Sequence, residues 1–183
     1  MTSKIVKFVT LNNNNVEFAN TFEALKEDFT NFLRNDALDM RKGGYCITYL
    51  MLADKTLIGY FTLSAYSIDL KSSGVKEIKQ FRGVQKIPSI LLGQIAIHKE
   101  FVNKGLGKTL LQFAIGTIKE LRKKIGIRFI VVNSYDRESR NWWEKREFQL
   151  LPGKINRTRG KPFLYFDLKK VEEQEQVNSY KSY

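Results

Sequence analysis

The sequence has little of several residue types that common protein classes require. Its 183 residues include one cysteine, one histidine and three prolines. The single cysteine, Cys46, excludes an internal disulfide framework, because such a framework needs cysteines in pairs. No stretch reaches the ~18 consecutive apolar residues of a membrane-spanning helix, and the first residues lack the apolar segment and cleavage site of a signal peptide. We therefore expect a cytoplasmic protein with no membrane partner.

Positive charge, by contrast, is present in excess. Lysine and arginine number 31 against 19 acidic residues, which gives a formal net charge of +12 and a pI near 9.7. Such an excess attracts polyanions and accelerates encounters with them. A phosphorylated small molecule and a nucleic acid are both suitable partners. Solubility alone is the alternative explanation, since the basic residues are spread along the chain.

The length and the 43% hydrophobic content suit one core. We expect one domain over residues 1–170 and a polar tail at 171–183. Asn20 is the expected N-cap of the first long helix, with Glu23 completing a capping box, and Asp54-Lys55 is a tight hairpin turn. Polar residues 67–89 are expected to form a functional loop. Apolar patterns predict strands at 5–9, 45–52, 57–66, 90–97, 129–132 and 162–168, and helices at 20–42, 106–125 and 136–145. This order favours an α/β fold, a mixed central β-sheet flanked by helices on both faces.

The stretch from Leu91 to Leu111 combines a strand, a glycine turn and the start of an amphipathic helix. A helix start presents unpaired backbone N–H groups at the positive end of the helix dipole, which suits a phosphate. Gly105 and Gly107 allow close approach of the backbone to such a ligand. A nucleotide P-loop would need glycine in place of Val102, and a dinucleotide fingerprint would need it in place of Leu110, so both are excluded.

These residues resemble the acetyl-CoA motif of the Gcn5-related N-acetyltransferase (GNAT) family, Q/R-x-x-G-x-G/A, which follows a strand ending in an apolar-small-apolar triplet. Here Val102 takes the place of the usual Gln or Arg. The segments Gly59 to Ser64 and Asn141 to Phe148 also resemble the family, and the likeness covers 22–168. It implies the GNAT fold, an N-acetyltransferase domain over 1–170, and acetyl-CoA as cosubstrate without a metal. The implied cofactor-binding residues are Ile95, Ala96, Ile97, Val102, Asn103, Lys104, Gly105, Leu106, Gly107 and Lys108, with Lys104 or Lys108 as the cation for the pyrophosphate.

The resemblance implies a reaction in which a primary amine attacks the thioester directly. It also implies that the backbone N–H of Ile97 donates a hydrogen bond to the thioester carbonyl. Such a donor typically lowers the reaction barrier by ~3 kcal/mol. Many members have a tyrosine that acts as general acid where this chain has Trp143. An indole N–H can donate a hydrogen bond to the sulfur but cannot act as a general acid at neutral pH. Tyr135 is the best substitute acid, and a tyrosine that only packs at the strand end is the alternative.

Other residues near these positions also have expected roles. His98, the one histidine, is either a general base or a structural residue, and we favour the structural role. The pair Trp142 and Trp143 is expected to line the tunnel for the pantetheine arm. Glu147 replaces a glycine of the family pattern, which predicts an altered turn there.

The acceptor is the least defined part of the prediction. The helix predicted over 20–42, the strand that contains Gly59 to Ser64 and the segment that begins with Ile87-Pro88 resemble, in this order, the toxin branch of the family. Members of that branch acetylate aminoacyl-tRNA and are neutralised by a small antitoxin. The positive charge agrees with tRNA, whereas Trp143 and Glu147 depart from that branch. Protein, peptide and small-molecule amines are the other candidate acceptors, and an antitoxin and a second copy of the chain are candidate partners. A non-catalytic CoA-binding module is the alternative to an enzyme, because the usual tyrosine is missing.

Overall fold

The structure, a computed structural model, describes residues 6–75, 83–152 and 162–171. Within these ranges, seven strands form one sheet in the order β1-β2-β3-β4-β5-β7-β6. The strands are β1 Val6–Thr10, β2 Ile47–Ala53, β3 Thr56–Asp69, β4 Lys86–Ile97, β5 Phe129–Asn133, β6 Gln149–Leu150 and β7 Phe163–Asp167. The helices are α1 Glu17–Asn20, α2 Glu27–Asn31, α3 Ala37–Lys42, α4 Leu70–Ser73, α5 Leu106–Arg122 and α6 Arg137–Glu144. A π-helical turn, Phe32–Asp36, joins α2 to α3, and a 3-10 turn spans Lys99–Phe101. These elements confirm the predicted α/β class.

The first three strands form an antiparallel meander. Strand β1 pairs with β2 from Val6↔Ala53 to Thr10↔Tyr49, and β2 pairs with β3 from Ile47↔Leu63 to Ala53↔Thr56. Asp54 in the connecting turn has φ +54°, a left-handed conformation that aspartate tolerates better than most residues. The predicted hairpin is confirmed. Strand β7 pairs antiparallel with both β5 and β6.

The chain divides into two compact units. Unit 1 contains the described residues of Met1–Ser64 and Leu92–Ile118. At its centre the Phe22 ring lies edge-on to Tyr60 at 5.1 Å, and the Tyr60 hydroxyl donates to the Phe29 carbonyl at 2.7 Å. Burial raises the pKa of Tyr60, so this hydroxyl stays protonated and ties α2 to β3. The core cluster is Leu11, Ala19, Phe22, Leu33, Ala37, Leu50, Leu52, Leu57, Tyr60 and Ala96.

Cys46 is also buried in unit 1, immediately before β2. Desolvation raises the pKa of its thiol, because a thiolate would be poorly solvated there. The residue therefore packs as a small apolar side chain.

Unit 2 contains the described residues of Ala65–Leu91 and Lys119–Tyr183. A bidentate ion pair joins the start of β5 to the end of β7. In it, Arg128 Nε and Nη2 donate to the Asp167 carboxylate at 2.8 and 2.7 Å. The Arg128 amide also donates to the Pro88 carbonyl at 2.8 Å, and its carbonyl accepts from the Leu168 amide at 3.1 Å. Such charge-assisted pairs fix geometry as well as adding energy. The apolar cluster of this unit is Ile68, Ile87, Phe129, Val131, Leu151, Phe163 and Tyr165.

The predicted start of the first long helix is wrong. Asn20 ends α1 instead of capping a helix, and α2 begins at Glu27. Between them, Ala24 forms an antiparallel bridge with His98, so a distant strand end overrides the local capping signal. Leu25, in this intervening segment, is 74% exposed.

Two other predicted segments also differ. Regular structure enters both ends of the predicted loop 67–89, because β3 runs to Asp69, α4 follows, and β4 begins at Lys86. Residues 76–82 of this loop lie outside the described residues, as does the predicted tail from 172 onward. At the end of the helix predicted over 106–125, α5 ends at Arg122 and Ile125 is exposed.

The turn after α6 keeps a glycine-type conformation without a glycine. Glu147 has φ +67°, and the next amide, Phe148 N–H, donates back to the Trp143 carbonyl at 3.3 Å. The two aromatic rings of that pair are 4.9 Å apart. This is the Schellman pattern of a helix C-terminus, in which the left-handed residue is usually glycine. The altered turn expected from Glu147 is therefore not found. Instead, Glu147 adopts a left-handed backbone conformation that is unfavourable for a residue with a Cβ.

We predict that Glu147→Gly stabilises the protein by about 1 kcal/mol, because it removes the left-handed penalty of a residue with a Cβ. Chemical denaturation followed by circular dichroism measures the difference. Lys145→Gly is the matched control: Lys145 has φ −63°, so glycine there should destabilise the protein. A Glu147→Gly protein that is less stable than the starting protein would contradict the strain assigned to this turn.

Candidate functional site

The end of β4 carries the triplet that the sequence singled out. Ala96 is buried, whereas Ile95 and Ile97 are partly buried. This end of the strand lies antiparallel to β3, since the His98 amide donates to the Ile58 carbonyl at 2.8 Å and the Gln94 amide donates to the Thr62 hydroxyl at 2.9 Å. The triplet is therefore held along one side by β3.

The peptide between Ala96 and Ile97 has a defined direction. A Cβ placed on Gly59 of β3 would lie 2.6 Å from the Ala96 carbonyl oxygen, so that oxygen is directed towards β3. In a trans planar peptide the N–H points opposite to the C=O. The N–H of Ile97 is consequently directed away from β3, and β3 does not use it as a ladder donor.

His98 caps the short turn that follows β4. Its Nδ1 accepts a hydrogen bond from the Glu100 amide at 3.3 Å, and its ring lies 5.7 Å from the rings of both Phe22 and Phe101. This placement supports the structural role that we favoured for His98. An acceptor Nδ1 leaves the ring proton of the neutral form on Nε2.

A second segment holds the same strand end from the other direction. The Lys99 amide donates to the Glu23 carbonyl at 2.7 Å, beside the bridge between Ala24 and His98. The Glu23 carboxylate forms ion pairs with Lys99 and, at 3.7 Å, with Arg34. The hydrogen bond and charge of Lys99 lower the pKa of Glu23. The sequence proposed Glu23 as part of a capping box, whereas the structure uses it to fix the residues after Ile97.

The glycine turn leads from this strand end into α5. Asn103 and Gly105 both take left-handed conformations, with φ +60° and +77°. Nothing lies within 4 Å of a Cβ built on Gly105, so this glycine is required by its backbone angle and leaves open space beside the turn. Helix α5 begins at Leu106, where the first N–H groups of a helix have no partner within it. The turn thus offers backbone donors in an uncrowded position.

The two lysines proposed as cations differ in their contacts. Lys104 Nζ donates to the Glu100 carbonyl at 2.8 Å and lies 5.1 Å from the centre of the Phe101 ring. Lys108 is exposed in the first turn of α5, and its amide donates to the Gly105 carbonyl at 3.1 Å. Both charges lie next to the helix start, where they favour an anion.

The two remaining catalytic candidates belong to unit 2. Tyr135 lies between β5 and α6 and is 36% exposed. Trp143, on α6, is 5% exposed and lies in an aromatic cluster, with ring centroids 4.8 Å from Trp142 and 4.9 Å from Phe148. The capping box of α6, in which Asp136 and Ser139 bond each other's backbone, fixes the helix directly after Tyr135.

Arg146, for which the sequence analysis predicted no role, packs against the same aromatic cluster. Its guanidinium lies 3.6 Å from the centre of the Trp142 ring, and Nη1 donates to the Trp142 carbonyl at 2.8 Å. Desolvation lowers the pKa of Arg146, since burial disfavours its charged form. These contacts fix the indole of Trp142 on α6.

Two observations concern other classes of site. Among residues 6–75, 83–152 and 162–171, no cluster of His, Cys, Asp and Glu has the arrangement needed to hold a metal ion. No helix in the described part of the chain is long and apolar enough to cross a membrane.

Comparison with known proteins defines the class. The acetyltransferase (GNAT) family matches residues 15–148, which is most of the chain and includes β4, the glycine turn and α5. The chain belongs to the GNAT family and is an acyltransferase.

Particular relatives include a tRNA-acetylating toxin and solved complexes of the AtaT toxin. A tRNA-acetylating toxin of Mycobacterium tuberculosis (strain ATCC 25618 / H37Rv) is 24% identical over 132 residues, 72% of this chain and 78% of the toxin. AtaT complexed with acetyl-methionyl-tRNAfMet superposes with a TM-score of 0.79 at 19% identity, covering 93% of this chain and 99% of AtaT. A mutant of the AtaT toxin bound to the C-terminus of the antitoxin AtaR and acetyl-CoA gives a TM-score of 0.71 at 19% identity, with 93% and 97% coverage. At these identities the structures show a shared fold.

Proposed function

We propose that the chain transfers an acetyl group from acetyl-CoA to a primary amine by direct attack on the thioester. One observation carries the proposal: β4 ends with the Ile97 N–H directed away from β3, and an open glycine turn follows at the start of a helix. The N–H is a preorganised donor for a carbonyl oxygen that gains negative charge. The helix start is a site for phosphate. Family membership supports the same reading.

Each part of this site has a distinct task under the proposal. Acetyl-CoA supplies an activated acyl group, and the residues Ile95–Ile97 and Val102–Lys108 hold it. The amides at the start of α5, with Lys104 and Lys108, bind its phosphates. The Ile97 N–H stabilises the oxygen on which charge develops, and holding amine and thioester together lowers the entropic part of the barrier. Tyr135 returns a proton to the thiolate, while Trp143 supports the position of α6.

We predict that Gly107→Glu lowers CoA affinity at least ~10-fold, about 1.4 kcal/mol, because it adds a side chain and a negative charge beside the helix start. Isothermal titration calorimetry with CoA measures the effect. Gly116→Glu is the matched control, since Gly116 lies later in the same helix with nothing within 4 Å of its Cβ. Equal affinities for the two variants would remove the phosphate site from this turn.

For proton delivery we predict that Tyr135→Phe lowers kcat ~10²-fold and leaves CoA affinity unchanged, because it removes only the acidic hydroxyl. Steady-state release of free thiol gives the rate. Tyr45→Phe, at another exposed tyrosine, serves as the control. An unchanged rate in Tyr135→Phe would assign thiolate protonation to solvent and return Tyr135 to a packing role.

We further propose aminoacyl-tRNA as the acceptor. One relative is a tRNA-acetylating toxin, and another, AtaT, was solved in complex with acetyl-methionyl-tRNAfMet. The net charge of +12 suits a polyanionic substrate. An antitoxin-type protein is the corresponding partner, because AtaT was solved with the C-terminus of one. A homodimer remains a prediction from the sequence.

For this acceptor, we predict label transfer from acetyl-CoA to charged tRNA and binding that weakens more than ~10-fold between ~50 and ~200 mM salt. Phosphate contacts release counterions, so charge reversal at contact lysines should flatten the salt dependence. Lys71→Glu and Lys86→Glu test the 67–89 segment, with Lys7→Glu on β1 as the control.

Transfer of acetyl to a small amine but never to tRNA would contradict this acceptor and indicate a general amine acetyltransferase. Single-turnover assays that release no free thiol with any amine would indicate the CoA-binding module instead.

A further inference from the structure

We propose that Gly59 is a positioning residue for the acetyl transfer: its missing side chain lets the Ala96 carbonyl turn towards β3, which directs the Ile97 N–H to the reacting carbonyl. The inference rests on the proposed function, because it concerns the residue behind the amide donor. Gly59 touches no reacting atom and acts through the Ala96–Ile97 peptide. Its role therefore concerns the direction of a hydrogen-bond donor rather than the binding of a ligand.

Space, not backbone conformation, requires glycine at this position. The left-handed glycines of the described residues are Gly44, Gly74, Gly83 and Gly105, so Gly59 has an ordinary φ that any residue adopts. Glycine inside a strand normally weakens it and often marks a close approach of another chain segment. Around a Cβ on Gly59 the near atoms are the Ala96 oxygen at 2.6 Å, Ile97 Cδ1 at 2.8 Å and Leu110 Cδ2 at 3.3 Å.

The three neighbours would respond differently to an added methyl group. Ile97 Cδ1 and Leu110 Cδ2 are the ends of flexible side chains and can change rotamer. The Ala96 oxygen belongs to the backbone, and it moves only if the Ala96–Ile97 peptide moves. Because that peptide is planar, moving the oxygen turns the Ile97 N–H by the same angle.

The peptide also has little freedom to shift as a whole. On its C-terminal side, His98 and Lys99 donate to Ile58 and Glu23 at 2.8 and 2.7 Å. On its N-terminal side, the Gln94 amide donates to the Thr62 hydroxyl. With both flanks held, rotation of the peptide about its own Cα–Cα axis is the easiest way to relieve a contact. A methyl group on residue 59 is therefore expected to misdirect the donor while the strand ends stay in place.

The decisive variant is Gly59→Ala, compared with Gly116→Ala, whose new Cβ meets nothing within 4 Å. We expect Gly59→Ala to lower kcat at least ~10-fold, because a preorganised donor raises kcat by a factor of about 10²–10³ and rotation removes only part of that effect. The Kd for CoA, which lacks the acyl carbonyl, should stay within twofold. Gly116→Ala should leave both quantities unchanged. A folded Gly59→Ala protein with kcat within twofold of the starting protein overturns the proposal.

A second readout does not depend on activity. The N–H residual dipolar coupling of Ile97, measured by NMR in the free protein, reports the direction of this bond. It should change in Gly59→Ala, while the couplings of residues in β1 and β2 stay the same. An unchanged Ile97 coupling overturns the proposal whatever the rate. By contrast, a starting protein that transfers no acetyl group refutes the proposed function itself, so the two failures are distinct.

If Gly59→Ala does not fold, the comparison moves to a second background. Gly59→Ala combined with Ile97→Val removes the clash with Ile97 Cδ1 and keeps the clash with the Ala96 oxygen. Relative to Ile97→Val alone, the double variant should show the same loss of kcat. If Ile97→Val folds and the double variant does not, Gly59 serves stability alone and the proposal is overturned.

Discussion

The end of β4 is held on two sides by backbone hydrogen bonds, and the candidate site depends on this constraint. Ile58 of β3 holds His98, and Glu23 of the segment before α2 holds Lys99. Because these contacts involve main-chain atoms, they fix the Ala96–Ile97 peptide without using any functional side chain. The glycine turn and α5 then start from a strand end whose position is already determined. A rigid scaffold with an irregular loop after it is the usual way in which proteins position binding groups.

The chemistry assigned to this site comes mainly from backbone groups. The Ile97 amide and the first amides of α5 are present in any sequence that folds this way, which explains how Val102 can replace the usual Gln or Arg without loss of the turn. The side chain at position 143 is different, because the indole of Trp143 is packed against Trp142 and Phe148. Loss of an acidic side chain is tolerable in a reaction whose leaving group is a thiolate, an already stable anion.

Local signals in the sequence were sufficient for some elements and misleading for others. The hairpin at Asp54, the apolar strand β5 and the glycine turn were all predicted, since each depends on neighbouring residues. The helix start at Asn20 was wrong, because the bridge from Ala24 to His98 joins residues far apart in the chain. The approach of Gly59 to Ala96 was missed for the same reason. A glycine inside an otherwise apolar strand was the one available sign of it.

Because Cys46 is buried, the reactivity of its thiol depends on local opening of the folded chain. The reactive form of cysteine is the thiolate, and desolvation disfavours that form in the folded protein. The chain has no other cysteine, so any thiol reaction follows exposure of this one position next to β2. The rate at which a thiol reagent labels the native protein therefore reports local opening around Cys46, which belongs to unit 1. Labelling thus concerns the unit that contains the end of β4 and the glycine turn, whereas Tyr135 belongs to the other unit.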